Sequence, residues 1–316
     1  ADFQEYMIVP VGATSYRSAI QITAEIFMAL KDVLTTCGLR TTVGDEGGFA
    51  PRVASNTEML DLLVQACERA GYTPGQQVAF ALDVAASEFY DQSGYSLTTE
   101  KRILSSQEMI SYLREMSDHY PIYSIEDGLD EDDWVSWEAL TKELPNVQLV
   151  GDDLLVTNQT RLEQAIATGA GNAILIKPNQ IGTLTETVRT IAAAKQAGWN
   201  TIVSHRSGET EDVTIAHLAV GTGAGQISGS QQPVALPGQI RNGLVLLVAS
   251  PHDDPALRRQ AEMPTDLQQA TIVQIAIGVV QDQVAQPCAE AGVGQEAAPG
   301  RTGILLDTVA LRQGHL

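Results

Sequence analysis

The sequence predicts an α/β fold built on a parallel β-sheet, and three observations support this prediction. Short, almost continuous apolar runs recur along the chain, as is typical of strands that are covered on both faces. They lie at residues 78–82, 122–125, 147–150, 173–176 and 201–203. Amphipathic segments separate them, so that strand and helix alternate over roughly 25–40 residues. Such alternation is typical of a doubly wound sheet or of a (β/α)₈ barrel, and the pattern alone allows both.

The segments between the apolar runs contain start and stop signals of helices. A Ser or Thr followed three residues later by Glu is the pattern of a capping box. It occurs at Ser55/Glu58, Ser105/Glu108 and Thr183/Glu186. Glycine favours the left-handed backbone that often ends a helix, and Gly71, Gly169 and Gly198 follow three amphipathic segments. We therefore expect helices to begin after these caps and to end before these glycines.

The charge of the chain argues against some partners. With 19 basic and 39 acidic residues, the net charge of the 316-residue chain is −20, so no basic surface is expected to attract nucleic acid or an anionic membrane. The sequence contains neither a signal peptide nor an apolar run of about 18 residues, the length of a membrane span. Cys37, Cys67 and Cys288 are scattered, which favours reduced thiols over disulfides or a zinc site. We interpret the protein as cytoplasmic, without a membrane span.

Polar side chains recur directly after the apolar runs. They are Glu46, in a glycine-rich loop after Val43, and Asp83, Glu126, Asp152, Lys177, His205 and Arg206. In a parallel barrel all strand C-termini open onto one face, so these six ends would converge on one mouth. Each residue alone has an ordinary explanation, as a helix N-cap, a turn former or a snorkelling surface lysine. Their recurrence at matching positions of successive units favours an enzyme.

The residue types at these strand ends suit a particular chemistry. Three carboxylates, without Cys or clustered His, favour a hard octahedral ion such as Mg²⁺. A metal beside a lysine suits removal of a proton next to a carboxylate. Glu46 could protonate a leaving hydroxyl from the opposite side, and Arg206 with Ser207 could bind a phosphate, since Arg offers a bidentate fork. We therefore predict metal-assisted proton abstraction at the strand ends.

Long motifs at these positions also resemble a known family. They are QEYM (4–7), GDEGGFAP (44–51), ALDVAASEFY (81–90), SIEDGLDEDDW (124–134), LVGDDLLVTN (149–158), ILIKPNQIGTLTET (174–187) and SHRSGETED (204–212). Through them, residues 2–227 resemble the C-terminal barrel domain of enolase (phosphopyruvate hydratase). The resemblance implies an enolase-type (β/α)₈ TIM-like barrel and a Mg²⁺-dependent lyase of glycolysis that converts 2-phosphoglycerate reversibly to phosphoenolpyruvate. Sites of this superfamily are a known case of a lysine or histidine base that works with one or two Mg²⁺ ions.

By matching position, the resemblance implies a role for each residue. Lys177 would remove the α-proton of 2-phosphoglycerate, and Glu46 would assist departure of the hydroxide. Asp83, Glu126 and Asp152 would ligate Mg²⁺. The residues expected to bind or line the substrate are Gln4, Glu5, His205, Arg206 and Ser207, of which Arg206 and Ser207 match phosphate-binding positions. The resemblance also implies a homodimer or a higher oligomer.

The sequence departs from the family pattern in three places. It begins at what would be the second barrel strand, so the barrel domain of residues 1–227 is expected to be incomplete, with two unpaired edges. Ser228 occupies the position of a family lysine that grips the substrate carboxylate. Residues 228–316 contain no lysine and do not resemble the family. For this tail a shifted reading frame and poor ordering are both open, and residues 266–286 are expected to form one helix or a strand pair.

These departures lead to competing functional hypotheses. Loss of a cation that faces developing negative charge typically lowers a rate by roughly 10²–10³, so we expect little or no turnover of 2-phosphoglycerate. The first hypothesis is a Mg²⁺-dependent lyase, intact or damaged. The second is a catalytically inactive enolase fragment with a binding role only. A superfamily member that acts on another carboxylate is disfavoured, because SHRSGETED and GDEGG are typical of enolase itself.

Overall fold

The computed structural model describes residues 1–44, 47–206 and 212–229, together with the backbone of residues 272–278. Two predicted site residues, Glu46 and Ser207, lie outside the described residues. So do Cys288 and most of the segment 228–316. The functional roles predicted for these residues therefore stay predictions.

Eight strands form a closed barrel, and three more form a small antiparallel sheet beside it. The strands are β1 (Glu5–Val9), β2 (Ala79–Asp83), β3 (Tyr90–Asp91), β4 (Gly94–Leu97), β5 (Arg102–Leu104), β6 (Ile122–Glu126), β7 (Gln148–Gly151), β8 (Ala173–Ile176), β9 (Asn200–Ser204), β10 (Gly225–Gly229) and β11 (Ile272–Gly278). The order around the barrel is β1-β11-β10-β9-β8-β7-β6-β2. From β2 through β6 to β10 every neighbouring pair is parallel. The predicted α/β barrel is confirmed, and the doubly wound sheet is excluded.

The barrel is closed by a strand from the predicted tail. Strand β1 runs antiparallel to both of its neighbours, β2 and β11, and β11 runs parallel to β10. Residues 1–229 thus supply seven barrel strands, in line with an incomplete barrel in this part of the chain, and residues 272–278 supply the eighth. The two edges that we expected to be unpaired, on β1 and β10, are both paired with β11. A helix is therefore excluded for residues 272–278.

The predicted strand end at Val43 is wrong. Val43 pairs with Phe49 in an isolated antiparallel bridge, and its side chain is 55 % exposed. A backbone hydrogen bond of 2.9 Å from Gly44 N–H to the carbonyl oxygen of Gly48 lies beside this bridge. A single apolar residue after two threonines does not provide the buried run that a central strand needs. Five of the six predicted strand ends therefore belong to the barrel.

Each of the predicted start and stop signals lies at an end of a helix. The helices of the described residues are α1 (Tyr16–Thr36), α2 (Asn56–Arg69), α3 (Ser106–His119), α4 (Trp134–Glu143), α5 (Gln159–Thr168), α6 (Pro178–Ile181), α7 (Leu184–Gln196) and α8 (Thr214–Thr222). Ser55, Ser105 and Thr183 are the N-caps of α2, α3 and α7, and each side chain accepts a hydrogen bond from the backbone of the expected glutamate. Gly71, Gly169 and Gly198 all have positive φ angles. The three caps determine where α2, α3 and α7 start.

Side chains along the barrel strands alternate between two apolar layers. In β8, Ile174 and Ile176 belong to the large core between the sheet and the helices. Ala173 and Leu175 instead pack with Val150 of β7 and Ile202 of β9, which places them inside the barrel. This alternation determines which of the residues at the strand ends face the barrel interior.

Candidate active site

The polar residues at the carboxyl end of the barrel share the interior face of their strands. Lys177 lies two residues after the interior residue Leu175, so the alternation of a strand directs it to the same face. The same count from Ala81, Val150 and Ile202 directs Asp83, Asp152 and Ser204 inward. The same count from Ser124 directs Glu126 inward. The Ser124 hydroxyl accepts a hydrogen bond from Gln148 on the adjacent strand β7, and the Gln148 side chain also bonds Gln226 of β10 across the barrel. The mouth is therefore lined by charged groups from adjacent strands.

Three carboxylates in the described residues lie close enough to hold a cation together. Oxygens of Glu126, Asp127 and Asp152 are all within 4.8 Å of one another, and the three side chains are buried. Asp83, which the sequence predicted in place of Asp127, lies on the adjacent strand in register with Glu126. Its Oδ2 accepts a hydrogen bond of 2.8 Å from Gln4, and its Oδ1 accepts one of 3.1 Å from the backbone of Ala85. Asp83 therefore adds a further carboxylate beside these three in the described part of the chain.

Lys177 is the cation within this group of acids. Its Nζ donates to Oδ2 of Asp152 in a short ion pair, and the two side chains are only 17 % and 9 % exposed. Burial alone would lower the pKa of Lys177, but the charges of Asp152 and Glu126 outweigh burial and raise it above its usual value. In the structure Lys177 is thus held as the protonated partner of Asp152.

The carboxylates are not fully compensated by this single lysine. The pKa of Glu126 is raised well above its usual value, first by burial and then by the charges of Asp83 and Asp152, while Lys177 acts in the opposite direction. The pKa of Asp127 is raised by the same two causes, burial and neighbouring carboxylates. When clustered acids favour their neutral forms, a bound cation stabilises their charged forms. The electrostatics of the mouth therefore favour binding of a positive ion.

Asp127 has a different position from the other acids, and sequence reasoning missed it. Its Oδ1 accepts a hydrogen bond of 3.1 Å from the backbone N–H of Asp152, and its Oδ2 accepts one of 2.8 Å from that of Asp153. Its φ is +42°, a region that residues other than glycine seldom adopt. The sequence signal for Asp127 was an acid directly after Glu126. Because side chains alternate along a strand, this position lies on the face opposite to the barrel interior. We interpret Asp127 as the residue that fixes the loop after β7.

The donor set at the mouth fits a hard divalent cation. Its groups are carboxylate oxygens from the ends of adjacent strands, buried and mutually repulsive. Oxygen ligands of this kind are those that Mg²⁺, Ca²⁺ and Mn²⁺ prefer, whereas Cys and His would favour softer ions. The count along the strands places Asp83, Glu126 and Asp152 on the interior face, whereas Asp127 lies on the other face and accepts hydrogen bonds from two backbone N–H groups of the loop after β7. Their interior position favours the first three over Asp127 as ligands.

Four of the five predicted substrate-binding residues are among those that the structure describes, and they lie around the same mouth. Glu5 is buried and in register with Asp83, and Gln4 donates to that same aspartate. His205 is buried after β9, whereas Arg206 is exposed and donates a hydrogen bond of 3.1 Å to Asn179 on α6. This contact brings the Arg206 guanidinium to the segment that directly follows Lys177. Among the described residues, a cationic group for an anionic substrate is therefore present beside the lysine.

Ser228 lies on the opposite side of the lysine from Asp152 within the barrel. It is 8 % exposed and in register with Ser204 of β9. Ile176, the residue before Lys177, is in register with Val203, the residue before Ser204. Lys177, Ser204 and Ser228 therefore occupy matching positions at the ends of three consecutive strands. A lysine in place of Ser228 would extend into the same mouth.

Comparison with known families agrees with this geometry. The family model of the enolase C-terminal TIM barrel domain matches residues 1–233. The matched range includes every strand of the barrel except β11, and all the predicted site residues. In the described part of the chain, the helices are too short or too polar to cross a membrane.

Proposed function

The chain belongs to the enolase C-terminal TIM barrel family, and on this premise we propose that its barrel mouth is the site of a Mg²⁺-dependent lyase. The proposed reaction is the reversible dehydration of 2-phosphoglycerate to phosphoenolpyruvate, a step of glycolysis in the cytoplasm. The observation that supports it best is the contact of Lys177 with Asp152 inside a buried group of carboxylates. This arrangement places beside a cation site a lysine that becomes a proton acceptor once it loses its proton, as removal of a proton next to a carboxylate requires.

The metal would be held by Asp83, Glu126 and Asp152. When bound, Mg²⁺ would supply positive charge that stabilises negative charge on the substrate carboxylate and favours the neutral form of the neighbouring lysine. Gln4 would keep Asp83 oriented through its hydrogen bond of 2.8 Å to Oδ2. Asp127 would keep the Asp152 backbone in place through its hydrogen bond of 3.1 Å.

Lys177 would act as the general base. Neutral Nζ would take the proton from C2 of 2-phosphoglycerate, and the electron pair of the C–H bond would move toward the substrate carboxylate. In the second step that pair would form the C2–C3 double bond while the C3–O bond breaks. Glu46, which lies outside the described residues, is proposed to give its proton to the departing hydroxide, so that water leaves and phosphoenolpyruvate remains. Interior placement of Lys177 limits competing proton exchange with bulk water.

The phosphate of the substrate would be bound near α6. Arg206 is exposed and lies within hydrogen-bond distance of Asn179, so its guanidinium is available to a ligand at the mouth. We propose that Arg206 and Ser207 bind the phosphate and that His205 and Glu5 line the site beside it. Arg206 can give two parallel hydrogen bonds to one phosphate, which fixes its orientation. We further propose that the protein acts as a homodimer or a higher oligomer, as enolases do.

A second candidate function is binding without turnover. The observation that favours it is Ser228, which lies at the mouth where the resemblance implies a lysine for the substrate carboxylate. A missing cation of this kind costs roughly 10²–10³ in rate. We therefore expect low turnover, and the two candidates differ in whether the residual rate depends on Lys177.

The test combines binding with turnover. The melting temperature is measured with and without Mg²⁺ and 2-phosphoglycerate, and formation of phosphoenolpyruvate is followed with Lys177→Ala as the matched control. A lyase predicts a Mg²⁺-dependent rise in melting temperature, a further rise with substrate, and a small rate that Lys177→Ala abolishes. Binding with equal rates for both proteins would support the non-catalytic alternative. A melting temperature that responds to neither ligand would overturn both candidates.

A further inference from the structure

Two residues without a role in the proposed reaction join Asp152 to the backbone of Lys177. Nε2 of Gln180 donates a hydrogen bond of 2.8 Å to Oδ1 of Asp152, and its Oε1 accepts one of 3.0 Å from the hydroxyl of Thr157. The same hydroxyl oxygen accepts a hydrogen bond of 2.9 Å from the backbone N–H of Lys177. A continuous path of hydrogen bonds therefore runs from the side chain of one site residue to the backbone of the other.

The Thr157 hydroxyl acts where pairing between strands β7 and β8 has ended. The described ladder consists of Val150 with Ala173 and Gly151 with Ile174, so it stops before Asp152 and Lys177 are reached. Beyond it, Thr157 is placed with its hydroxyl 3.4 Å from the carbonyl oxygen of Leu175 and 2.9 Å from the N–H of Lys177. A side chain thus replaces the missing backbone pairing at the point where both functional groups leave the barrel.

The backbone at Thr157 is in a conformation that its side chain disfavours. Thr157 has a φ of +56° and Val156 one of +43°, although β-branched residues rarely adopt positive φ. Thr157 is completely buried, and its carbonyl oxygen accepts a hydrogen bond of 3.1 Å from the hydroxyl of Thr190 on α7. Such conformations persist where the surrounding contacts impose them, and they cluster at functional sites. The contacts of Thr157 therefore indicate a residue held in place for its position.

We propose that Thr157 and Gln180 form a positioning clamp that orients Asp152 for a divalent cation and fixes the distance between Asp152 and Lys177. Lys177 contacts one carboxylate oxygen of Asp152 and Gln180 the other, so the plane of the carboxylate is determined from both sides. Partners that hydrogen-bond to metal ligands commonly set metal affinity, and their loss typically weakens it by about 10–100-fold. This inference rests on the proposed function, since it takes Asp152 as a ligand.

The experiment is a titration of the metal-free protein with MgCl₂ in an isothermal titration calorimeter, which measures the Kd for Mg²⁺. Gln180→Leu removes the donor to Asp152, and Thr157→Val removes the hydroxyl but keeps the shape of the side chain. Both are expected to raise the Kd for Mg²⁺ about tenfold. Thr157→Ser keeps the hydroxyl and is expected to bind as the unmodified protein does. Thr187→Val is the matched control on α7, because the hydroxyl of this buried threonine bonds only its own helix among the described contacts.

Structural loss and loss of positioning are separated by the pattern across the variants. Melting temperatures and near-ultraviolet circular dichroism identify any variant that is not folded. Thr157→Val and Thr157→Ser differ in whether the hydroxyl group is kept. Where turnover is measurable, the clamp variants are expected to lower kcat with little change in KM. The clamp alone would be overturned by unchanged Mg²⁺ affinity in both Gln180→Leu and Thr157→Val. It would also be overturned if Thr157→Ser and Thr187→Val lost as much Mg²⁺ affinity as Thr157→Val does. Failure of the unmodified protein to bind Mg²⁺ would overturn the proposed function and the clamp together.

Discussion

Oδ1 of Asp127 accepts a hydrogen bond of 3.1 Å from the backbone N–H of Asp152. Its second oxygen accepts one of 2.8 Å from the N–H of Asp153, so both lone-pair faces of the carboxylate are directed at the β7 loop. Asp83, at the end of the neighbouring strand, instead accepts one hydrogen bond from the side chain of Gln4 and one from the backbone of Ala85 in its own loop. Asp127 is therefore tied to the backbone of another strand end, whereas Asp83 is not.

We predict opposite effects for Asp127→Asn and Asp83→Asn. In Asp127→Asn an amide group would face a backbone N–H, leaving a buried donor without an acceptor, so the free energy of unfolding without metal should fall by about 1–3 kcal/mol. In Asp83→Asn the amide oxygen can still accept from the Ala85 N–H, and the Gln4 side-chain amide can turn so that its oxygen accepts from the new NH2 group. Because repulsion of Glu126 is also relieved, metal-free stability should be kept while the Mg²⁺-dependent rise in melting temperature is lost. Urea denaturation and melting curves with and without Mg²⁺ measure both. If Asp83→Asn kept the Mg²⁺ response and Asp127→Asn lost it at unchanged stability, Asp127 would be the metal ligand in place of Asp83.

Replacement of Lys177 should separate metal binding from turnover. Lys177→Met removes the cation that contacts Asp152, and breaking a buried pair commonly costs about 3 kcal/mol of metal-free stability. The carboxylates then repel one another more strongly, so the Kd for Mg²⁺ should fall about tenfold. Turnover of 2-phosphoglycerate should be lost. Calorimetry and product assays test these statements, with Lys177→Arg as the control that keeps the charge. Weaker Mg²⁺ binding in Lys177→Met would show that the lysine supports the metal site instead of opposing it.

Cys67 provides a test of the fold that does not depend on the site. It is completely buried, and burial, with a smaller contribution from the charge of Glu68, raises the pKa of its thiol to about 12. Cys37 is exposed. In the native protein, iodoacetamide should therefore modify Cys37 within minutes and Cys67 only after denaturation, as peptide mass spectrometry would measure. Rapid native labelling of Cys67 would contradict the packing of α2 against the barrel.

The same thiol predicts a pH dependence of stability. Its folded pKa is higher than the usual value of 9.0, so the folded state binds the proton more tightly. The stabilisation is complete below about pH 9 and decreases as pH rises toward about 12, at up to roughly 1.4 kcal/mol per pH unit. Cys67→Val lacks this proton, so the loss of stability between pH 8 and pH 10.5 should be smaller than in the unmodified chain. Urea denaturation at the two pH values measures the difference, and equal losses would contradict it.

Local sequence signals predicted those parts of the fold that local physics determines. The runs at 78–82, 122–125 and 173–176 became barrel strands, because continuous apolarity is stable only where both faces are covered. The caps at Ser55 and Ser105 act as expected, since a cap depends on residues within one turn. The antiparallel direction of β1 and the closure by β11 depend on long-range pairing. No pattern within either segment encodes which distant strand it will meet.

The candidate site was predictable to a similar degree. The convergence of Asp83, Glu126, Asp152 and Lys177 at one end of the barrel could be predicted, because parallel strands bring matching positions together. Asp127 was missed because its role comes from two backbone N–H groups of another strand end. Thr157 was missed because its positive φ and its contact with Lys177 arise only when β7 and β8 are assembled. A residue that acts through the backbone of another segment cannot be recognised from its own side-chain type.

Ser228→Lys should increase substrate binding and turnover. Ser228 is buried at the end of β10, in register with Ser204, so a lysine there would extend its ammonium toward the mouth. A cation opposite the substrate carboxylate should raise turnover of 2-phosphoglycerate by roughly 10²-fold. The added positive charge should at the same time weaken Mg²⁺ binding severalfold, because it competes for the same carboxylates. Ser228→Met adds similar volume without charge and should leave turnover at the level of the unmodified chain. If Ser228→Lys and Ser228→Met gave equal rates, the low activity expected of this chain would have another cause than the missing cation.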